Sequence, residues 1–380
     1  MIWIIVILLV LWVIAAFILD GEDLSRYDIP TNKLFSQSQN SSTKNPSATQ
    51  KEQYGPAIQC FNELSSGNTT NKTLSELTSA RKKVFRTKSL KNSLAIARNF
   101  ADEMSLNLDT DTQFIPAECQ QFNAEWAIAK DVDTKRRLLF FHGGAFIMGS
   151  AKGHRKLSHR LSQACNAAVL SVDYKLQPEF HRKSSVDDAQ NAYRWILNNG
   201  PFDDSDNNTD YSHLFLAGDS AGGNFAVMLS SWSKQNSLPS ANAVISFSPS
   251  LDTTFSSPTI TTNRKTDKIL GQVLGNLTRL PRPILLWASF IILRYKPCNP
   301  LISPLFYDLT DLPPTLIQAS SNEILLGESI RYTNKANSVG SKVILQIWEN
   351  QLHDWHIFNY DSPYAKKVWS EVEQFIQNLD

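Results

Sequence analysis

Gly218-Asp219-Ser220-Ala221-Gly222 is the run in this chain with the plainest chemical meaning. A serine with a glycine two residues away on either side fits a strained turn from strand to helix, where bulky neighbours would clash. Such a turn presents the serine oxygen as a nucleophile. It also sets that oxygen at the positive end of the following helix, where an oxyanion is favoured. A second run, His142-Gly143-Gly144-Ala145, lies upstream. Its paired glycines let backbone N–H groups turn inward with no side chain in the way, as an oxyanion hole requires. The expected donors are Gly143 and Gly144, with Ala221, the residue after the serine, as the third. Either run alone could be an ordinary glycine turn. Together, in this order, they point to acyl transfer through a serine.

The segments around these runs are of the kind that could hold them. Leu138 to Phe141 reads as a short apolar strand leading straight into the His142 turn, and Leu214 to Ala217 as another leading into the Ser220 turn. Ala167 to Val172, Val244 to Phe247, Thr315 to Ala319 and Val343 to Trp348 are further apolar strands. Between them lie helical patterns: Ser184 to Asn199, with Val186, Ala189, Tyr193, Ile196 and Leu197 on one face, Asn224 to Trp232, and a last helix over about Ser362 to Leu379. Short apolar strands alternating with helices imply an α/β fold, with a mainly parallel sheet covered by helices on both faces. Pro283 to Leu293 interrupts the alternation. It is too short to span a bilayer and reads as a buried cap helix, with an interfacial membrane contact as the alternative.

Upstream of the alternating region the character changes. Ile2 to Leu19 is an unbroken apolar run of 18 residues. As a helix it would extend roughly 27 Å at ~1.5 Å per residue, so a retained transmembrane anchor over residues 1–19 is expected, ahead of a cleaved signal. Residues 20–75 are poor in apolar residues and rich in Ser, Asn and Thr, as a flexible linker would be. Residues 76–120 are expected to form N-terminal cap helices, including an amphipathic stretch from Ser89 to Met104. The catalytic domain is then expected over 121–380, with a cap insertion at 260–296. A short N-terminus inside and the large domain on the non-cytoplasmic side of a membrane is the default orientation, compatible with N-x-[ST] sequons at Asn40, Asn68, Asn71, Asn207 and Asn276.

A net charge of +1 offers no basis for a nucleic-acid partner or a polyanionic substrate. Cys60, Cys119, Cys165 and Cys298 contain no C-x-x-C pair, so no metal site is expected; their even count permits disulfides but leaves isolated thiols equally open.

HGGAF, GDSAGG and the intervening YKLQPEF and VDDA resemble the hormone-sensitive-lipase-like family of α/β-hydrolases, as do GSAKGHR, NPLISPL and LPPTLIQ. Bacterial acetyl esterases and monoterpene-lactone hydrolases look most similar. The match covers roughly residues 120–380, with the motifs in the family's order. Ala145 departs from it, where many members carry a third glycine. The resemblance implies an α/β-hydrolase fold and hydrolysis of carboxylic esters by a Ser-His-Asp/Glu triad, with no cofactor. Members carry M-x-H-D-W or similar after the last strand, which puts the base at His353 in Gln351-Leu352-His353-Asp354-Trp355, with His356 as runner-up. The triad acid is often the aspartate of S-D-E-x-L-L. Here that run reads Ser321-Asn322-Glu323-Ile324-Leu325-Leu326, so the aspartate position holds an amide. Glu323 is the expected acid, with Glu328 behind it and helix capping as the bland alternative for Glu323. The resemblance gives Glu179, Asp187 and Asp188 scaffold roles; solvated or capping acids would explain them as well.

The expected enzyme is a serine carboxylester hydrolase acting on a small acyl ester or lactone through an acyl-enzyme. Its expected catalytic residues are Ser220, His353 and Glu323, with the oxyanion held by Gly143, Gly144 and Ala221, and its expected membrane contact is residues 2–19. An amide deacetylase, similar to the membrane-anchored arylacetamide deacetylases, or a lipase at a membrane surface would use the same constellation. From another class, a non-catalytic hydrolase-fold protein that binds a ligand would usually lack the serine, the base or the oxyanion turn.

Overall fold

The computed structural model describes residues 2–28, 57–61, 69–87, 89–105, 108–202, 210–358 and 363–379. Nine strands form one sheet: β1 Ile58–Phe61, β2 Gln113–Ala117, β3 Asn123–Ile128, β4 Arg136–Phe141, β5 Ala168–Asp173, β6 His213–Asp219, β7 Ala243–Phe247, β8 Thr315–Ser320 and β9 Val343–Trp348. Their order is β1-β9-β8-β7-β6-β4-β5-β3-β2. β2 and β3 pair antiparallel with each other, as do β3 and β5, and every other pairing is parallel. The helices of eleven residues or more are α1 Ile2–Ile18, α2 Thr69–Arg86, α3 Leu90–Glu103, α4 Arg155–Cys165, α5 Arg182–Ile196, α6 Ala221–Gln235, α7 Arg282–Leu293, α8 Leu326–Ser338 and α9 Pro363–Gln377.

The central strands β4, β7 and β8 are buried at every position because both faces of the sheet are covered, and their alternate apolar residues feed two cores. Leu139, Phe141, Leu216 and Ile317 pack with Val186 and Tyr193 of α5, Phe225 of α6 and Ile330 of α8. Their neighbours Leu138, Phe140, Phe215 and Leu316 pack on the other face with Leu157 and Leu161 of α4 and Trp369 and Val372 of α9. Each side chain so buried contributes about 1.5–3 kcal/mol. The expected layered α/β architecture is what forms.

The N-terminal regions depart from expectation. The apolar run does form a helix, but α1 has 17 residues. At ~1.5 Å per residue that is about 26 Å, short of the ~30 Å hydrocarbon core. Among the described residues no helix is long and apolar enough to cross a membrane, which corrects the expected transmembrane anchor. The C-terminal end of α1 packs through Ala16 and Leu19 against Leu286 and Trp287 of α7, while most of its other side chains are exposed.

The segment read as a linker is docked wherever it is described. Leu24 is buried in the main core, Asp20 pairs with Arg282, and Asp28 Oδ1 accepts from Arg331 Nε at 2.6 Å. β1 adds a parallel edge strand to β9. The stretch from Phe35 to Gln53 and the sequons at Asn40, Asn68 and Asn207 lie outside the described residues. The 76–120 region is helical only to Glu103 and then gives β2, whose partly exposed edge position carries too weak an alternation to be read as a strand. The run expected as a buried cap helix forms α7, which is only half buried: Leu285, Leu286 and Ser289 face inward, while Phe290, Ile291 and Ile292 face solvent. All four cysteines are free thiols.

Candidate active site

Ser220 stands between the end of β6 and the start of α6, at φ 51° and ψ −111°. This left-handed backbone is strained for a serine, and it lifts the side chain off the sheet edge. The fold holds it there on two sides: Ser220 N–H donates to Phe247 O at 2.8 Å, and Ser220 O accepts from Ser250 N at 3.1 Å. The turn is also crowded. A Cβ added at Gly222 would press on the Phe141 carbonyl closer than any real contact allows, so the second glycine of the motif lets α6 cross β4.

The expected base and acid meet the serine. His353, in the loop after β9, has Nε2 at 2.9 Å from Ser220 Oγ. Its Nδ1 lies 2.8 Å from Glu323 Oε2, just beyond β8. The other carboxylate oxygen, Oε1, accepts from Ser248 Oγ and from Ser320 N, each at 2.7 Å. Glu323 is thus fixed in orientation before the histidine reaches it. Burial alone would lower the His353 pKa, but the Asp354 and Glu323 carboxylates outweigh it and hold it well above the ordinary value.

The runner-up residues go elsewhere. His356 Nε2 faces Gln318 Oε1 at 3.1 Å, and burial drives its pKa well down. Glu328 Oε2 accepts from the backbone N–H groups of Leu251 and Asp252 at 2.6 and 3.0 Å. Asn322 enters through its backbone, donating to Ser320 Oγ at 3.1 Å and accepting from Thr266 Oγ1 at 3.1 Å. Glu179 pairs with Arg98, Asp187 with Lys183, and Asp188 with Lys175.

The His142 turn follows β4, the neighbour of β6, so it borders Ser220. Gly144 sits at φ 117°, a conformation open to glycine, and neither it nor Gly143 donates its N–H to a backbone acceptor among the described residues. His142 is a scaffold for that turn. Its ring stacks on Tyr174 at 4.3 Å, its Nδ1 lies 2.8 Å from Gly143 O, and burial pulls its pKa down to about 3.

Two buried acidic side chains beside Ser220 and His353 were not singled out in the sequence. Asp219 is buried beside His154, Oδ2 to Nε2 3.4 Å. Asp354 places Oδ2 3.0 Å from His353 Nε2, the nitrogen that faces the serine. Adjacency in sequence was the available signal for Asp354, but it does not tell which way a side chain turns. A cavity of about 520 Å³ lies to one side, lined by residues that include Arg98, Phe122, Tyr174 and Phe180. Neither Ser220 nor His353 is among its lining residues.

Known proteins resemble this chain in sequence and fold. A family model described as an α/β hydrolase fold matches residues 138–357. An esterase of Acinetobacter venetianus is 34% identical over 247 residues, 64% of this chain and 76% of that protein. An acetyl-hydrolase of Streptomyces hygroscopicus is 31% identical over 254 residues, 67% of this chain and 79% of its own. Among solved structures, an esterase from the bacterial hormone-sensitive lipase family superposes with a TM-score of 0.69 at 26% identity, covering 83% of this chain and 99% of that one. With the serine elbow, the glycine turn and these similarities in hand, the chain belongs to the hormone-sensitive-lipase-like family of α/β hydrolases and is a serine hydrolase.

Proposed function

We propose that this enzyme hydrolyses small carboxylic esters or lactones through Ser220, His353 and Glu323, by way of an acyl-enzyme. The observation that carries the reading is the unbroken line Ser220 Oγ, His353 Nε2, His353 Nδ1, Glu323 Oε2, with steps of 2.9 and 2.8 Å. His353 takes the Ser220 proton as Oγ attacks the ester carbonyl, then gives it to the departing alcohol. Glu323 holds the ring with Nδ1–H toward itself and stabilises the charged imidazolium. The N–H groups of Gly143, Gly144 and Ala221 receive the oxyanion of the tetrahedral intermediate, each worth about 3 kcal/mol. Water then enters by the same steps and frees the acid. The names of the relatives, esterase and acetyl-hydrolase, support a small acyl group. The exposed apolar surface of α1 supports attachment to a lipid surface, without a crossing of the bilayer.

The test is hydrolysis of p-nitrophenyl acetate, butyrate and octanoate by the wild type, Ser220→Ala, Glu323→Gln and Asn322→Ala. Ser220→Ala is expected to lose roughly 10⁴-fold or more in kcat, and Glu323→Gln about 10²–10⁴-fold. Asn322→Ala is expected to keep its activity, since Asn322 enters through its backbone. A folded wild type with no turnover would instead favour a ligand-binding protein. A Glu323→Gln variant near wild type would remove Glu323 from the mechanism.

A further inference from the structure

Asp354 follows His353 directly and sits at φ 52°, in the left-handed region. Its Oδ2 lies 3.0 Å from His353 Nε2, and the same nitrogen lies 2.9 Å from Ser220 Oγ. Its second oxygen, Oδ1, is buried with no hydrogen-bond partner among the described residues, so it does not hold the group elsewhere. Two oxygens, one a carboxylate and one the nucleophile, therefore compete for one ring nitrogen.

A contact of 3.0 Å between an imidazole nitrogen and a carboxylate oxygen is attractive only with a proton between them. The other nitrogen, Nδ1, is engaged by Glu323. So while Asp354 touches Nε2, either the ring is an imidazolium or Asp354 carries the proton. In neither state is Nε2 a bare base for Ser220. We propose that Asp354 is a positioning residue that holds a proton on the reactive nitrogen of His353, and thereby sets the pH above which the nucleophile can be activated.

The surroundings agree. The titratable groups facing the pair are Glu323 beyond β8, Asp219 at the end of β6, His154 from the turn at Lys152–His154 and His356 from the helix Trp355–Phe358. Burial first, then the Asp219 and Glu323 carboxylates, raise Asp354 to about 7, against the pull of His353. A shared proton on this pair then leaves as pH rises through the neutral range and beyond. The sign follows: His353 is held protonated by its neighbours, so activity is lost on the acid side of a raised midpoint. Asp354 gains nothing for the enzyme at low pH. In the charged intermediate it faces the Nε2–H that will be passed to the leaving alcohol.

This inference rests on the esterase reading, and the experiment separates the two. We would measure kcat/KM for p-nitrophenyl acetate from pH 5 to 9 with the full chain, Asp354→Asn and Asp354→Gly. Asn and Gly tolerate the left-handed backbone, so neither change adds strain. The acid limb is expected to move down by about one pH unit or more in both variants, since a neighbouring opposite charge shifts an ionisation by one to three units. An acid limb that stays in place in both overturns the proposal, while a Ser220→Ala that keeps its turnover overturns the esterase reading itself. Should both Asp354 variants fail to fold, imidazole NMR of the wild type decides. Retention of the His353 Nε2 proton above pH 7 supports the proposal, and an ordinary titration near 6.5 overturns it.

Discussion

Ser220 and Gly222 illustrate how little freedom single residues have at this site. Ser220 occupies a positive φ that costs of order 1–3 kcal/mol, a cost met by the buried strand and helix on either side of it. Gly222 is constrained by its neighbour, because any Cβ there would displace the Phe141 carbonyl and with it the end of β4. Gly222→Ala is therefore expected to cost about 3 kcal/mol by overpacking. Differential scanning calorimetry would read it as a fall in the thermal midpoint, accompanied by lost activity because β4 carries the His142 turn. An unchanged midpoint would mean the elbow relaxes more easily than its packing implies. The sequence signal at this scale was strong for the serine and the glycines, since each is chemically or sterically irreplaceable. It was weaker for Glu323, which stands one residue beyond the aspartate position of the family pattern, and absent for the Asp354 contact, which depends on a loop backbone angle.

Elements act by setting strand ends beside one another. β4, β6, β8 and β9 run parallel, so the His142 turn, Ser220, Glu323 and His353 all emerge at the same edge of the sheet, the C-terminal ends of its strands. Between them, β7 supplies Phe247 O to the Ser220 backbone, and Ser248, just after it, donates its Oγ–H to Glu323. The segment just after α1 belongs to this scaffold as well, because Asp28 receives both Nε and a terminal nitrogen of the buried Arg331 on α8, at 2.6 and 2.9 Å. Removing that carboxylate leaves a buried guanidinium short of its charge partner. Asp28→Ala should thus cost about 2 kcal/mol and lower the thermal midpoint by several degrees, with kcat nearly unchanged. A midpoint equal to wild type would make the arm ornamental.

At the scale of the molecule, the unusual feature is apolar surface left in solvent. Along α1, side chains from Ile2 to Leu11 are exposed on every side of the helix, and Phe290, Ile291 and Ile292 of α7 extend that apolar character onto the cap. A contiguous patch of this kind drives association with lipid, detergent or other protein. The full chain is expected to co-sediment with phosphatidylcholine vesicles or to form large assemblies without detergent. A variant lacking residues 2–18 should stay monomeric in size-exclusion chromatography while retaining esterase turnover. Equal behaviour of the two forms would exclude α1 as the cause.

The residue order by itself singled out Ser220, the His142 turn and the layered α/β class, each through a local rule, and the family resemblance singled out His353. A strained turn needs glycine, an open N–H pair needs the same, and a strand buried on both faces is mostly apolar. Tertiary structure decided the rest. Whether an 18-residue apolar run is used as a helix of bilayer length depends on where the last turn is captured, and here the cap takes Ala16 and Leu19. Whether a polar segment is a linker depends on distant partners such as Arg331 and β9. The choice among Asn322, Glu323 and Glu328 depends on which carboxylate can reach a ring brought from 30 residues away, and only Glu323 does so. These are long-range contacts, and their energies are set by geometry that no local pattern encodes.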